Sequence, residues 1–558
     1  MGRALKLQLF PAILAAALLL GSAGFAAAQA PELGRIEFPT SASGVAQEQF
    51  LRGVAALHSF WYEEALEAFE AATREDPDFA LGYWGQAMAH NHPLWDEQNA
   101  EAARAALGKV RDSAALTPRE RGFIHAVRAL YGEGDKVARN RAYSLAMEQL
   151  YREFPGDHEV AGFYALSLLG QVQSGEKGYR RQARAGAIAL EVFAQNPLHP
   201  GAAHYIIHSF DDPEHAILAL PAARRYAGIA PQAHHARHMP SHIFIQLGMW
   251  PEAAASNESA WAASVAWAGR SGNISRRDFH SLHWMLYIFA QQGRYARARE
   301  ALETLRQTAG GGNRRSVYYW SEMVSCYLME SERWDAAADL FALATSPAGE
   351  ESHATHQHVP QGTAGSGRKT APERRHTLEA YARGMAAASR GSKEAATHAR
   401  QLREMRARMR EAGESYQARI AEILELEIAA QLHASQKKYD TALAEMMKAT
   451  RLEEELSPPS GPPEVLKPSH ELAGEILLRA GRAEEAAQQF ELALLRQPNR
   501  ARSLLGSARA AAKSGNAAAA AAAYARLIEN WKDADAQLPE LAEAREFVRQ
   551  QGMRVAGR

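Results

Sequence analysis

The stretch AQEQFLRGVAALHSFWYEEALEAFEAATREDPDF, residues 46–79, decides the fold. Numbered from Ala46, it places Gly53 at position 8, Tyr62 at 17, Ala65 at 20, Phe69 at 24, Ala72 at 27 and Pro77 at 32. Small residues at 8, 20 and 27 let two antiparallel helices approach closely, the large rings fill the space between them, and the proline ends the second helix. A pattern of this kind, recurring about every 34 residues, specifies stacked helix pairs.

The pattern recurs along the chain. A unit opens at Ala80 with Tyr83 and Trp84, and less regular helix pairs cover 141–155 and 180–197. Cleaner units run over 200–233, closed by Pro231, and 234–267, with Gly248, Trp250 and Ala253 at positions 15, 17 and 20. Others start at Phe279 (Gly293, Tyr295, Ala298) and Tyr318 (Trp334, Ala337, Phe341). Further units start near Thr377 (Gly384, Gly391, Ala396) and Ile423 (Tyr439, Ala442). After a Pro-rich turn, Gly481, Ala486, Phe490, Ala493 and Pro498 mark another unit, and Ala501 opens the last, with Gly515, Ala520 and Tyr524. These slots resemble the tetratricopeptide repeat (TPR). The expectation is an all-α, TPR-like right-handed α-solenoid of antiparallel helix pairs, about ten to twelve in number. It divides into an N-terminal solenoid over 46–345, a flexible Gly/Ser/His-rich loop over 346–375 containing His353, His356 and His358, and a C-terminal solenoid with a capping helix over 376–550.

Ahead of the repeats, Arg3 and Lys6 precede an apolar run over 7–20 and the small residues Ala26, Ala27 and Ala28, the layout of a cleaved signal peptide over 1–28. The mature chain is then expected to be periplasmic or secreted, with no stable membrane insertion. Losing Arg3 and Lys6 leaves 61 basic residues against 64 acidic ones, which gives no electrostatic case for nucleic acid. Cys326 is the single cysteine, so no intramolecular disulfide supports the fold. Packing must hold it.

The histidines are placed by the repeat. His204 and His208 are four apart, as are His238 and His242, and the second pair follows the first by 34 residues, so positions 5 and 9 are histidine in two successive units. On a helical wheel, positions 2, 5, 9, 12 and 13 face away from the consensus core, and the resemblance to tetratricopeptide proteins implies that this set lines the concave groove. They hold His58 and His92 at 13, His235 and His280 at 2, and His283 at 5; Cys326 falls at position 9 of its unit. Two imidazoles four apart on a helix can share a metal, and a second pair on the next helix, roughly 10 Å away, can complete a four-nitrogen site of His204, His208, His238 and His242. Zinc, copper, nickel and iron all accept imidazole. Asp211 and Asp212 follow His208 and are candidates either to support ring N–H groups or to cap the helix after Pro213. Without metal, the same histidines line a polar groove for a peptide. Pro240, between His238 and His242, bears on whether that pair stays aligned. Trp84, Trp95, Trp261 and Trp284 are read as core.

The strings HNHPLW (90–95), HPGAAHYIIH (199–208), DDPEHA (211–216), HMPSHIFIQLGMW (238–250) and KPSHELAGEILLRAGR (467–482) resemble a group of exported bacterial tetratricopeptide proteins of uncharacterised function. DFHSLHW (278–284) and QQGRYARAR (291–299) are faintly similar to the tetratricopeptide repeat protein 38 family. The resemblance is specific for fold and not for activity. Such solenoids usually serve as scaffolds, so the expectation is a protein or peptide partner held in the concave groove, and the spacing of the paired histidines adds a divalent transition metal (zinc, copper or iron) as a candidate cofactor. The alternative is a metal-dependent enzyme or metal-handling protein built on the same pairs. No metalloprotease HExxH, nucleophile elbow, phosphate loop or dinucleotide fingerprint is present, so no residue is assigned to catalysis.

Overall fold

Gly53 and Phe69 show why the first helix pair closes. In the computed structural model, which describes residues 32–556 apart from 96, 112–114, 174, 175, 177, 309–313 and 343–370, helix Gly44–His58 packs on Tyr62–Glu75. A Cβ at Gly53 would stand 2.6 Å from the Phe69 ring, so only glycine admits the ring between the helices. Gly474 and Phe490 repeat the device near the other end, at 2.8 Å. The expected signal peptide, and loop residues 346–370 with their three histidines, lie outside the described residues.

The chain is an all-α, TPR-like solenoid of antiparallel helix pairs. Along most of the chain a helix packs on the next in sequence, and first helices of successive pairs also touch, as Gly44–His58 does Ala80–Ala89 and Phe279–Gln291 does Arg314–Ser331. Among the described residues, β structure is confined to a small hairpin in which Asn91–His92 pairs with Glu97–Gln98. Helix starts are set locally: Thr117 and Glu120 form a reciprocal capping box ahead of Pro118–Leu130. Asp278 accepts from the backbone N–H groups of His280 and Ser281 at the start of Phe279–Gln291.

Pro240 does restart the helix, but without a kink. Helices His234–His238 and Pro240–Gln246 meet at Met239, which keeps helical angles (φ −53°, ψ −35°). The turn carries an imperfect backbone ladder, and the His238 carbonyl accepts instead from Ser241 Oγ (2.7 Å) and Ser256 Oγ (3.3 Å).

The solenoid does not present an open concave groove at the histidines. Helix Gly44–His58 reaches across to Pro200–Ser209. Near the C-terminal units, Pro459 O accepts from Gln246 Nε2 (2.7 Å), Asn499 O accepts from Trp250 Nε1 (2.9 Å), and Gln291 O accepts from Trp531 Nε1 (3.0 Å). A buried Arg500 joins Glu330 and Glu471, at 2.8 Å each. The reading of the histidines as a solvent-lined groove is therefore corrected: His58, His204 and His238 have no exposed surface. Segments distant in sequence cover the face that a single repeat leaves open.

Candidate metal centre

Helix Pro200–Ser209 carries His204 and His208, His234–His238 carries His235 and His238, Pro240–Gln246 carries His242, and Phe279–Gln291 carries His280. The structure sorts these six into two groups of three. In one, ligand-type atoms of His204, His208 and His235 lie within 4.8 Å of one another; in the other, those of His238, His242 and His280 do. The four paired histidines are thus shared between two adjacent groups rather than gathered into one four-nitrogen set. Each group is positions 5 and 9 of one unit closed by position 2 of the next. The first helices of neighbouring units lie side by side, so position 2 of one faces the groove residues of the other.

The two pairs have the same internal geometry. His204 Nε2 and His208 Nε2 are 3.1 Å apart, and so are His238 Nε2 and His242 Nε2. The leading histidine of each pair has its tautomer set by an acceptor. His204 Nδ1 donates to the backbone carbonyl of His58 (2.7 Å). His238 Nδ1 donates to Asn257 Oδ1 (2.7 Å), and the amide is oriented by its own Nδ2 donating to Ala253 O (3.0 Å). Both rings therefore present an unprotonated Nε2 to the histidine one turn on. His242 Nδ1 lies 2.6 Å from Asp211 Oδ2, and Asp211 Oδ1 accepts from Gln246. His235 Nε2 is buried with no hydrogen-bond partner among the described residues.

Burial keeps these rings neutral. It lowers His204, His208, His235 and His280 well below the ordinary imidazole range, and the neighbouring imidazoles add to the effect. His238 and His242 are brought down to about 3 by burial, with His242 adding to the shift of His238. Burial pushes the Asp211 carboxyl well above its ordinary range, so a positive charge at the facing imidazoles is what would let it ionise. Neutral imidazole is the form that coordinates metal, and ring N–H groups held by a carbonyl, an amide and a carboxylate are the supports such ligands use.

The walls are aromatic. Trp284 lies 4.7 Å from His238 and 4.3 Å from His242 between ring centres, and Gly461 packs against the Trp284 ring, where a Cβ would come within 2.2 Å. Phe60 stands 4.3 Å from His204, 5.8 Å from His208 and 5.7 Å from His235. Trp95 edges His235 at 5.7 Å, while Trp84 is buried core and Trp261 packs against the core.

Other candidates fall elsewhere. His58 is next to the centre but turned away, with Nε2 2.8 Å from Glu159 and Nδ1 2.8 Å from the Tyr205 hydroxyl. His199 Nε2 is 3.2 Å from the other oxygen of Glu159. Burial opposes ionisation of Glu159, but His199 and His58 outweigh it and hold the carboxyl far below its usual range. This buried trio fixes the end of the first helix, whose carbonyl orients His204. His92 belongs to the hairpin, 3.2 Å from Glu97 and 3.9 Å from the Tyr62 ring, and joins neither group. His283 Nδ1 stands 3.9 Å from Glu322, beside a small cleft of about 30 Å³ that His280, Trp284, Arg374 and Gly461 also line. Asp212 accepts from the backbone of Glu214 and His215 and from the His215 ring, so it builds the turn while Asp211 supports His242. Cys326 is buried, and burial raises its thiol well above the ordinary range. Sequence reasoning missed Phe60, Asn257, Glu159 and His199. Phe60 alone left a signal, because it occupies position 15, where other units carry glycine.

No family model and no curated protein matches the sequence. Among solved structures, the chain is similar to yeast Tom70, with 11% identity over 90% of this chain and 88% of that one and a TM-score of 0.24. It is also similar to the human IFIT1 dimer with m7Gppp-AAAA (14% identity, 88% and 91% covered, TM-score 0.31) and with PPP-AAAA (14% identity, 87% and 90% covered, TM-score 0.32). Likenesses this distant carry no functional argument.

Proposed function

We propose that this protein is a metal-binding helical-repeat protein whose buried histidines hold a transition metal ion, with zinc, copper and iron as the candidates. One observation carries the reading: His204 and His238 each aim an unprotonated Nε2 at another imidazole Nε2 only 3.1 Å away. Two nitrogens approach this closely when they share an electrophile, a proton or a metal ion. Two imidazoles on one tetrahedral ion, each about 2.0–2.1 Å from it, sit about 3.3 Å apart. The metal supplies Lewis acidity or redox chemistry; the chain's residues set the tautomers, exclude water and fix the rings. Asp211 is a positioning residue in this reading and not a base, because it is occupied with His242 and Gln246.

Elemental analysis of the exported protein, purified without a histidine tag and then supplemented in turn with zinc, copper and iron, tests it. Stoichiometric metal that is lost in the His204→Ala/His238→Ala double variant is expected. A wild type that binds none of the three at neutral pH overturns the reading and leaves a proton as the shared electrophile.

A partner-binding scaffold is the second reading, favoured by a cleft of about 580 Å³ in the C-terminal half. Its lining sets Trp334, Met385, Leu472 and Leu505 among both signs of charge, with Arg509 paired to Glu543 and with Arg479 and Lys513 also on the wall, which suits an extended peptide of mixed charge. Charge reversal at Arg479 and Lys513 should release a partner captured there without changing metal content.

A further inference from the structure

We infer that the six histidines form a paired centre, one ion on His204, His208 and His235 and a second on His238, His242 and His280, close enough to share a small oxygen-donor or anionic ligand between them. The inference rests on the metal-binding reading and adds the number of ions, their coordination and the class of ligand.

Three observations lead to it. The ligand groups are duplicates: each combines an i,i+4 pair with position 2 of the following unit, and both pairs show the same 3.1 Å Nε2 separation. A single four-histidine ion would leave His235 and His280 without a role, yet His235 belongs to the first group and its Nε2 is buried with no hydrogen-bond partner among the described residues. The groups also adjoin. Ring centres of His208 and His242 are 5.9 Å apart, as are those of His235 and His238, hardly more than the 4.7–5.1 Å seen within a group.

Three imidazoles leave a tetrahedral or five-coordinate ion with an open position. Two such ions side by side in an aromatic-walled, water-poor chamber place their open positions near one another, the arrangement that clamps one bridging atom or small anion between two metals. A small cleft of about 30 Å³ lies beside His280 and Trp284, at the edge of the second group.

The backbone supports the same assignment. Phe60 adopts φ 53° at position 15, in the left-handed region that glycine fills at Gly248 (66°), Gly293 (67°) and Gly391 (68°). That conformation strains a residue with a Cβ. Here it drives the ring against all three imidazoles of the first group.

Copper(II) titration of the full mature protein, read by elemental analysis and by integrated electron paramagnetic resonance, tests the inference. Two coppers per chain are expected, with a spin intensity far below two because neighbouring ions couple. Acid release of the copper should restore the full signal, which excludes reduction. His235→Asn and His280→Asn should each bind one copper with full spin intensity, and azide should perturb the wild-type spectrum at one equivalent per chain. Two coppers with full, undisturbed intensity would mean isolated sites, and one copper would mean a single ion; either overturns the paired centre while leaving metal binding intact. No bound copper, zinc or iron would strike the metal-binding reading itself. Should a variant fail to fold by circular dichroism, the copper-to-spin ratio of the wild type still decides.

Discussion

Asn257 sits outside the ligand groups yet decides what His238 can do. Its Oδ1 takes the Nδ1 proton at 2.7 Å while its Nδ2 is tied to Ala253 O, so the amide cannot flip without losing both bonds. Asn257→Leu leaves a buried ring N–H without an acceptor, which costs about 1–3 kcal/mol. It also frees the tautomer, so metal affinity should fall about 10–100-fold. Asn257→Asp restores an acceptor, and affinity should return to within a few-fold of wild type. Calorimetric titration with zinc, alongside urea unfolding of the metal-free protein, separates the two effects. Equal affinity in the leucine variant would remove Asn257 from the centre's support.

At the scale of the element, the turn between the two helices of a unit is the informative part. Position 15 is left-handed in unit after unit, and glycine holds it at Gly481 (φ 80°) and Gly515 (φ 82°), whereas Phe60 (53°), Glu332 (53°) and Lys437 (61°) hold it against steric cost. Lys437 is exposed, so Lys437→Gly should relieve strain of about 1–2 kcal/mol, offset in part by the freedom glycine adds to the unfolded chain. The expected net gain is about 0.5–1 kcal/mol. Phe60 is 5% exposed, so Phe60→Gly, with the same relief, loses a packed aromatic and should destabilise the protein by about 3 kcal/mol. Chemical denaturation of the two variants gives opposite signs if strain at position 60 is held by the packing of its ring. A stabilising Phe60→Gly would show that the ring contributes little there.

Across the whole molecule, closure puts ionisable groups where water cannot reach. Glu427 is fully buried, accepts from the hydroxyls of Tyr381 (2.5 Å) and Ser469 (2.7 Å), and is pushed up to about 8 by burial. A carboxyl raised in the folded state binds a proton there that the unfolded chain has already released. Its contribution to stability is therefore lost as pH rises from about 4.5 toward 8, at about 1.4 kcal/mol per pH unit. Glutamine mimics the protonated form without the titration. Glu427→Gln should match wild type in urea unfolding at pH 5 and exceed it at pH 8.5 by on the order of 3 kcal/mol. Parallel stability curves for the two proteins would show that Glu427 is ionised in the folded state.

By itself the sequence determined the repeat, its register and therefore the faces. Gly53 and Phe69 interlock because their spacing leaves no alternative, and histidines at positions 5 and 9 must share a helix face because 3.6 residues make a turn. The third histidine of each group was legible in the same way, as position 2 of the next unit, though the pairing of 5 and 9 drew attention away from it. What only the tertiary structure decided is the state of those rings. Local spacing specifies contacts between neighbouring units, and it carries no information about which distant segment covers the concave face. That cover, which includes Phe60 against His204 and Gly461 against Trp284, turns an expected groove into a buried cluster. Burial then removes water as a hydrogen-bond partner, so each Nδ1 must find a protein acceptor. The His58 carbonyl and Asn257 become those acceptors for His204 and His238 because the fold brings them there, and Asp211 is brought to the Nδ1 of His242.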